Sequence, residues 1–147
     1  MRAVIQRVVS ANVKINKRVK GKINKGIVVF LGVGQNDSIV NIKKTADKIL
    51  SLRIFQNDLH KMDYSITDIC GDILVISQFT LYANCLKGNR PSFIDSAGKL
   101  IATPFFDLFI NLLIKKKIPI KTGVFGSDMK INLTNDGPVT IMLEFKK

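Results

Sequence analysis

The sequence predicts a single α+β domain over residues 1–147, in which a mixed, strongly curved sheet is flanked by two main helices. Three observations carry that expectation. Strand-like segments stand at both ends of the chain, with two long helical segments between them. Residues 27–33, reading IVVFLGV, form a continuous β-branched and apolar run, the pattern of a central strand covered on both faces. The 147 residues, 46 % hydrophobic and without repeat, linker or low-complexity tract, suffice for one sizeable core without metal or disulfide staples.

In chain order, residues 3–9 and 12–15 read as two strands, and the basic segment 17–25 as a hairpin turning near Gly21. After the central strand, Asp37 or Ser38 can cap a helix. Ile39, Ile42, Ala46, Ile49 and Leu50 share one stripe of it, while Lys43, Lys44, Asp47 and Lys48 lie away. A short strand begins at Arg53-Ile54-Phe55, and residues 57–68 read as an exposed connection. Residues 73–76 are a buried strand ending in a polar cluster, followed by a loop over residues 82–93. Thr103-Pro104 reads as N-cap and first residue of the second helix, with Asp107 near its positive end and Lys115, Lys116 and Lys117 at its negative end. Phe105, Leu108, Phe109, Leu112 and Leu113 supply its buried face. Residues 118–121, 129–133 and 139–145 are strands, and Gly137-Pro138 falls where the last two should turn as a hairpin.

Composition narrows the function classes. The formal charge of +12, from 23 basic and 11 acidic residues, invites a polyanionic partner such as RNA. An AT-rich genome competes as the cause, since the chain holds 18 Lys against 5 Arg, with 20 Ile and 11 Asn. Cys70 and Cys85 have no CxxC spacing, and Arg2 and Arg7 interrupt the apolar residues where a signal peptide would run, so a reducing cytoplasm is expected. Residues 101–114 are too short and too interrupted to span a bilayer, so no membrane partner is expected. His60 has no second ligand at metal spacing, and neither a metal nor another cofactor is expected.

Two short stretches stand out chemically. Gly137-Pro138 is a stiff backbone presentation of carbonyl groups, and Ser77-Gln78-Phe79-Thr80-Leu81 places polar groups at the end of a buried strand. Together with Arg7 in the opening segment, Lys87-Gly88-Asn89-Arg90-Pro91, and Phe125-Gly126-Ser127-Asp128-Met129, they resemble the D-aminoacyl-tRNA deacylases from residue 1 to about 145. Such a resemblance implies hydrolysis of the ester joining a D-amino acid to the tRNA 3′ end, by a homodimer whose active site lies at the subunit interface. It also implies a catalytic stretch Ser77, Gln78, Phe79 and Thr80, in which the main-chain amides around Gln78, Phe79 and Thr80 hold the ester while the terminal 2′-hydroxyl assists attack. Gly137-Pro138 would be cis, reaching into the partner's pocket to hold the α-amino group and reject L-residues. Arg7, Asn135, Val139 and Thr140 would support that motif, and Phe125, Gly126 and Met129 would form the adenosine pocket. Glycyl-tRNA mischarged on tRNA-Ala is a further implied substrate.

The residues taken alone leave alternatives open. Ser77 and Thr80 have no obvious base, so strand-end hydrogen bonding competes with a nucleophilic role. Phe125 and Met129 could equally be core. Leu86 stands where relatives commonly carry a basic residue before Lys-Gly, which removes a possible phosphate contact. A non-catalytic basic RNA-binding module on the same fold is the competing function.

Overall fold

In a computed structural model that describes residues 1–146, the first strand is the spine. β1 (Arg2–Ile15) pairs antiparallel with β2 (Arg18–Ile23) through its second half and with β3 (Gly26–Gly32) through its first. The helix α1 (Ile39–Ser51) follows, then a two-stranded hairpin of β4 (Phe55–Gln56) and β5 (Met62–Tyr64). Next, β6 (Asp72–Ser77) runs parallel to β3, α2 (Lys99–Lys115) crosses back, and β7 (Ile120–Thr122) adds in parallel to β6. The last strand, β8 (Lys130–Glu144), lines the free edge of β1 antiparallel over nearly its whole length. β2 curls round towards β6 and β7 and approaches them closely at Gly21, where a Cβ would sit 3.2 Å from both Lys121 Cβ and the Thr122 carbonyl. The mixed sheet is nearly closed.

Closure explains the apolar run. Ile27, Val29 and Leu31 point into a core shared with Ile42, Ile49, Phe109 and Leu113 of the helices, whereas Val28 points inside the curved sheet beside Val8, Val13, Ile23, Leu74 and Ile76. Both faces of β3 and β6 are therefore dry, and no polar alternation survives in them.

The expected α+β class and two main helices are present, but several boundaries differ. The opening segment is one bent strand of 14 residues, its register shifting near Gln6, Val8 and Val13. The first hairpin turns at Asn16 and Lys17, both in the left-handed region (φ 49° and 65°), and Gly21 lies within β2 opposite Val13. Ser38 is the α1 cap, in a reciprocal capping box with Asn41, and Ile39 is left out of the buried stripe. The short strand starts at Phe55, two residues beyond Arg53, and the following connection folds back as the β4–β5 hairpin with exposed His60 in its turn.

α2 begins at Lys99 with Gly98 as cap, placing Pro104 inside it and exposed Asp107 in mid-helix. The donor that Pro104 lacks would serve the carbonyl of Leu100, an exposed residue within reach of water. Phe106 joins Phe109 and Leu113 among the buried residues, and Phe105, Leu108 and Leu112 are partly buried against the same core. The final hairpin is absent: residues 130–134 and 140–144 pair with the same strand, β1, so the chain bulges at Gly137-Pro138 and continues in its original direction.

Candidate active site

β6 ends at Ser77, paired with Leu31, and the chain leaves the sheet in a 3-10 turn over Phe79–Tyr82. Gln78 N–H donates to the Leu31 carbonyl (2.8 Å), which spends that amide on the sheet. The expected set of three main-chain donors is thereby reduced to two. The amides of Phe79 and Thr80 precede the first bond of the turn, from Leu81 N–H to the Gln78 carbonyl (3.3 Å), and have no acceptor among the described residues. Thr80 Oγ1 accepts from the Gln78 side-chain amide (2.5 Å), and no base is bonded to it among the described residues.

Arg2 holds the turn from behind. Its Nη1 donates to the Leu81 carbonyl (2.9 Å), its Nε pairs with Glu144 (2.8 Å), and its guanidinium lies 4.6 Å over the Tyr82 ring. Burial, reinforced by neighbouring Asp37, pushes the Tyr82 hydroxyl well above the usual tyrosine range. That hydroxyl donates to Asp37 (3.3 Å).

The turn walls a cavity of about 610 Å³. Ser77, Gln78, Phe79, Phe125, Gly126 and Met129 line it, while exposed Thr80 does not. Met129 passes its sulfur through the space left by Gly123, where a Cβ would collide with it, and Phe125 stands edge-on to Phe106 (5.7 Å). Gly126 has φ 75°, so the turn carrying these residues favours glycine there. The cavity is mainly apolar with a few polar groups at its walls, a composition suited to a planar base with an attached polar ester.

Sequence reasoning missed one whole wall, made by Phe93, Ser96, Ala97, Gly98, Lys99 and Ala102. Phe93 meets Phe79 edge-on at 5.0 Å. Gly98 carries no capping side chain, so nothing local marked the start of α2. Leu86, Lys87 and Arg90 lie exposed on the loop closed by the Asn84–Ser92 bridge, outside this lining.

Gly137 and Pro138 lie elsewhere. Gln6 pairs with Thr140 and Val8 with Asn135, so two steps along β1 face five along β8 and three extra residues bulge outward. The Gly137–Pro138 peptide is cis, and Gly137 has φ 137°. Arg7, only 4 % exposed, anchors the bulge: Nε donates to the Asp136 carbonyl (2.9 Å) and faces its carboxylate (3.2 Å), while Nη1 donates to the Ile54 carbonyl (2.5 Å). Asn135 closes the base, accepting from Val139 N–H (2.7 Å) and donating to the Val139 carbonyl and Thr140 Oγ1 (3.2 and 3.3 Å). Arg7 pairs with Ile27, whereas Ser77 pairs with Leu31; four residues of strand set the two motifs about 13 Å apart along β3. One chain does not bring its own two motifs together.

Among the described residues, no group of three or more His, Cys, Asp or Glu is placed to hold a metal ion. No described helix is long and apolar enough to cross a membrane.

The family described as D-Tyr-tRNA(Tyr) deacylase matches residues 4–144. D-aminoacyl-tRNA deacylases of Thermosipho melanesiensis and Clostridium botulinum are 51 % and 46 % identical to the chain, covering 100 % of it and 99 % of each relative. The solved structure of a c-Myc DNA Unwinding Element Binding Protein superposes with a TM-score of 0.94 at 38 % identity over 100 % of both chains. A probable eukaryotic D-amino acid tRNA deacylase gives 0.82 at 16 % identity over 97 % of both, a likeness of fold alone. With matches that run almost from end to end and a cavity built on its Ser77-Gln78-Phe79 strand end, the chain belongs to the D-Tyr-tRNA(Tyr) deacylase family of hydrolases.

Proposed function

We propose that this chain, as one deacylase domain over residues 1–147, hydrolyses D-aminoacyl-tRNA to free amino acid and tRNA through a composite site formed by two copies. The separation of its two motifs within one chain carries the reading. The cavity of one copy takes the 3′-terminal adenosine against Phe125, Gly126 and Met129, and the Gly137-Pro138 bulge of the other closes over the aminoacyl end. The Phe79 and Thr80 amides, free of other acceptors among the described residues, then stabilise the oxyanion that develops as the ester is attacked. With no side-chain base bonded to Thr80 among the described residues, the substrate's own 2′-hydroxyl assists, and the protein contributes position and preorganised dipoles.

Selection between enantiomers follows from the same arrangement. A backbone clamp fixing both the α-amino group and the ester determines where the third substituent on the α-carbon points. A D side chain is directed outward, an L side chain into the clamp, and glycine has nothing to exclude. Glycyl-tRNA mischarged on tRNA-Ala is accordingly a second substrate, and the setting of the reaction is the cytoplasm.

Mixed dimers test the composite site. Gly98→Trp fills the cavity, since Gly98 lines it and no heavy atom lies within 4 Å of a Cβ built there. Gly137→Ala distorts the bulge, because its Cβ would lie 2.7 Å from Val139 Cγ2 and 3.0 Å from Arg7 Nη2. Each variant alone is inactive, whereas co-expression restores about a quarter of the wild-type rate, from hybrid dimers holding one intact site. No recovery in purified hybrids would overturn the composite site.

A further inference from the structure

A second depression, of about 360 Å³, adjoins the active-site cavity and shares Asp128 with it. Its remaining walls are Lys14, Asn16, Lys17 and Lys130, at the tip of the β1–β2 hairpin and the start of β8. Strand alternation places Lys14 and Lys130 on the outer face, because their neighbours Val13 and Ile131 turn into the closed sheet. Lys22 joins that face through its pairing with Asn12.

Folding does not favour this arrangement. Lys14 and Lys130 are directly opposed cross-strand partners, and like charges so placed destabilise a sheet. Asp128 pairs with Lys130 at 3.4 Å, but both side chains are highly exposed, so the pair relieves little of the repulsion. Among the described residues, neither Lys14 nor Lys17 has an acidic partner. Lys17 is held out at the hairpin tip by a left-handed turn (φ 65°).

We propose that Lys14, Lys17 and Lys130 form a docking surface for the phosphates of the tRNA 3′ strand where it runs into the cavity. The inference rests on the cavity holding the terminal aminoacyl-adenosine. A strand leaving that cavity past Asp128 meets these three cations next. Their contacts are to the sugar-phosphate backbone, so they position the strand without reading its sequence. The repulsion between Lys14 and Lys130 is offset when phosphates settle between them.

The test compares two triple variants with the same loss of charge. One is Lys14→Gln, Lys17→Asn and Lys130→Gln, with Asn chosen because it tolerates the left-handed turn. The other is Lys43→Gln, Lys44→Gln and Lys48→Gln, on the exposed face of α1. The hairpin triple should raise KM for D-tyrosyl-tRNA about tenfold and lower the salt slope of uncharged-tRNA binding by about 2, at roughly 0.7 per single-strand phosphate contact. It should hydrolyse D-tyrosyl-adenosine, which lacks those phosphates, at the wild-type rate. The α1 triple should leave KM and slope near wild type. The Lys14→Gln, Lys130→Gln pair should unfold at or above the wild-type temperature. Equal effects of the two triples, or an unchanged salt slope in the hairpin triple, overturn the docking surface while leaving the deacylase reading intact. Wild-type protein inert towards both D-tyrosyl substrates overturns the deacylase reading and this inference with it.

Discussion

Replacing Arg7 by Met isolates the anchor of the Gly137-Pro138 bulge. The substitution keeps the apolar stem but removes the donors to the Asp136 and Ile54 carbonyls, which lie 2.9 and 2.5 Å from the guanidinium. Leaving a buried acceptor unsatisfied costs about 1–3 kcal/mol. The ion pair with Asp136 adds no more than about 1 kcal/mol, because that carboxylate is 41 % exposed. A total near 3 kcal/mol lowers the unfolding temperature of a domain this size by about 6–12 °C. Arg7→Lys separates anchoring from charge. A single ammonium cannot span two carbonyls as the guanidinium fork does, so the bulge shifts although the charge remains. Displacing a positioning group by about 1 Å costs up to 10²-fold in rate, and deacylation of D-tyrosyl-tRNA should fall on that scale while the fold survives. Thermal unfolding and single-turnover deacylation read the two effects. If Arg7→Met unfolds within 2 °C of wild type and deacylates at the wild-type rate, Arg7 does not hold the bulge.

Thr80→Ala should stay within about tenfold of wild type in single-turnover assays, since it removes one hydrogen bond of about 1 kcal/mol; a trapped acyl-Thr80 adduct would contradict the positioning role. Gly26→Ala should lose about 3 kcal/mol or more in denaturant unfolding, because its Cβ collides with the Asp72 backbone and must part β3 from β6; wild-type stability would refute that close approach. Folding favours the neutral Tyr82 phenol, whose stabilisation is complete below the usual tyrosine value of about 10 and is lost as pH rises beyond it. Wild-type unfolding temperature should therefore fall more steeply than that of Tyr82→Phe between about pH 9 and 11. Parallel curves would remove Tyr82 from the alkaline limb.

What the sequence made legible depends on where physics leaves a local mark. Burial of β3 on two faces left an apolar run that could hardly be read otherwise, and Ser77 at the end of β6 was placed correctly for the same reason. The Gly137-Pro138 step was misread because a turn and a bulge ask the same of glycine and proline. Only the pairing of residues 130–134 and 140–144 with one strand, β1, decides between them, and that information is nonlocal. The start of α2 was misplaced because Thr103-Pro104 carries a strong local signal and Gly98 carries none. That error hid Gly98, Lys99 and Ala102, half of the cavity wall that also holds Phe93, Ser96 and Ala97. Phe125 and Met129, ambiguous in the sequence between core and site, line the cavity while also packing against core residues.

The most direct measurement is release of tyrosine from D-tyrosyl-tRNA and L-tyrosyl-tRNA by the purified protein in the presence of a chelator. A backbone clamp acting by exclusion predicts rapid release from the D form without added metal, no measurable release from the L form, and turnover of glycyl-tRNA. Equal rates for the two enantiomers, or no release from D-tyrosyl-tRNA, would contradict it.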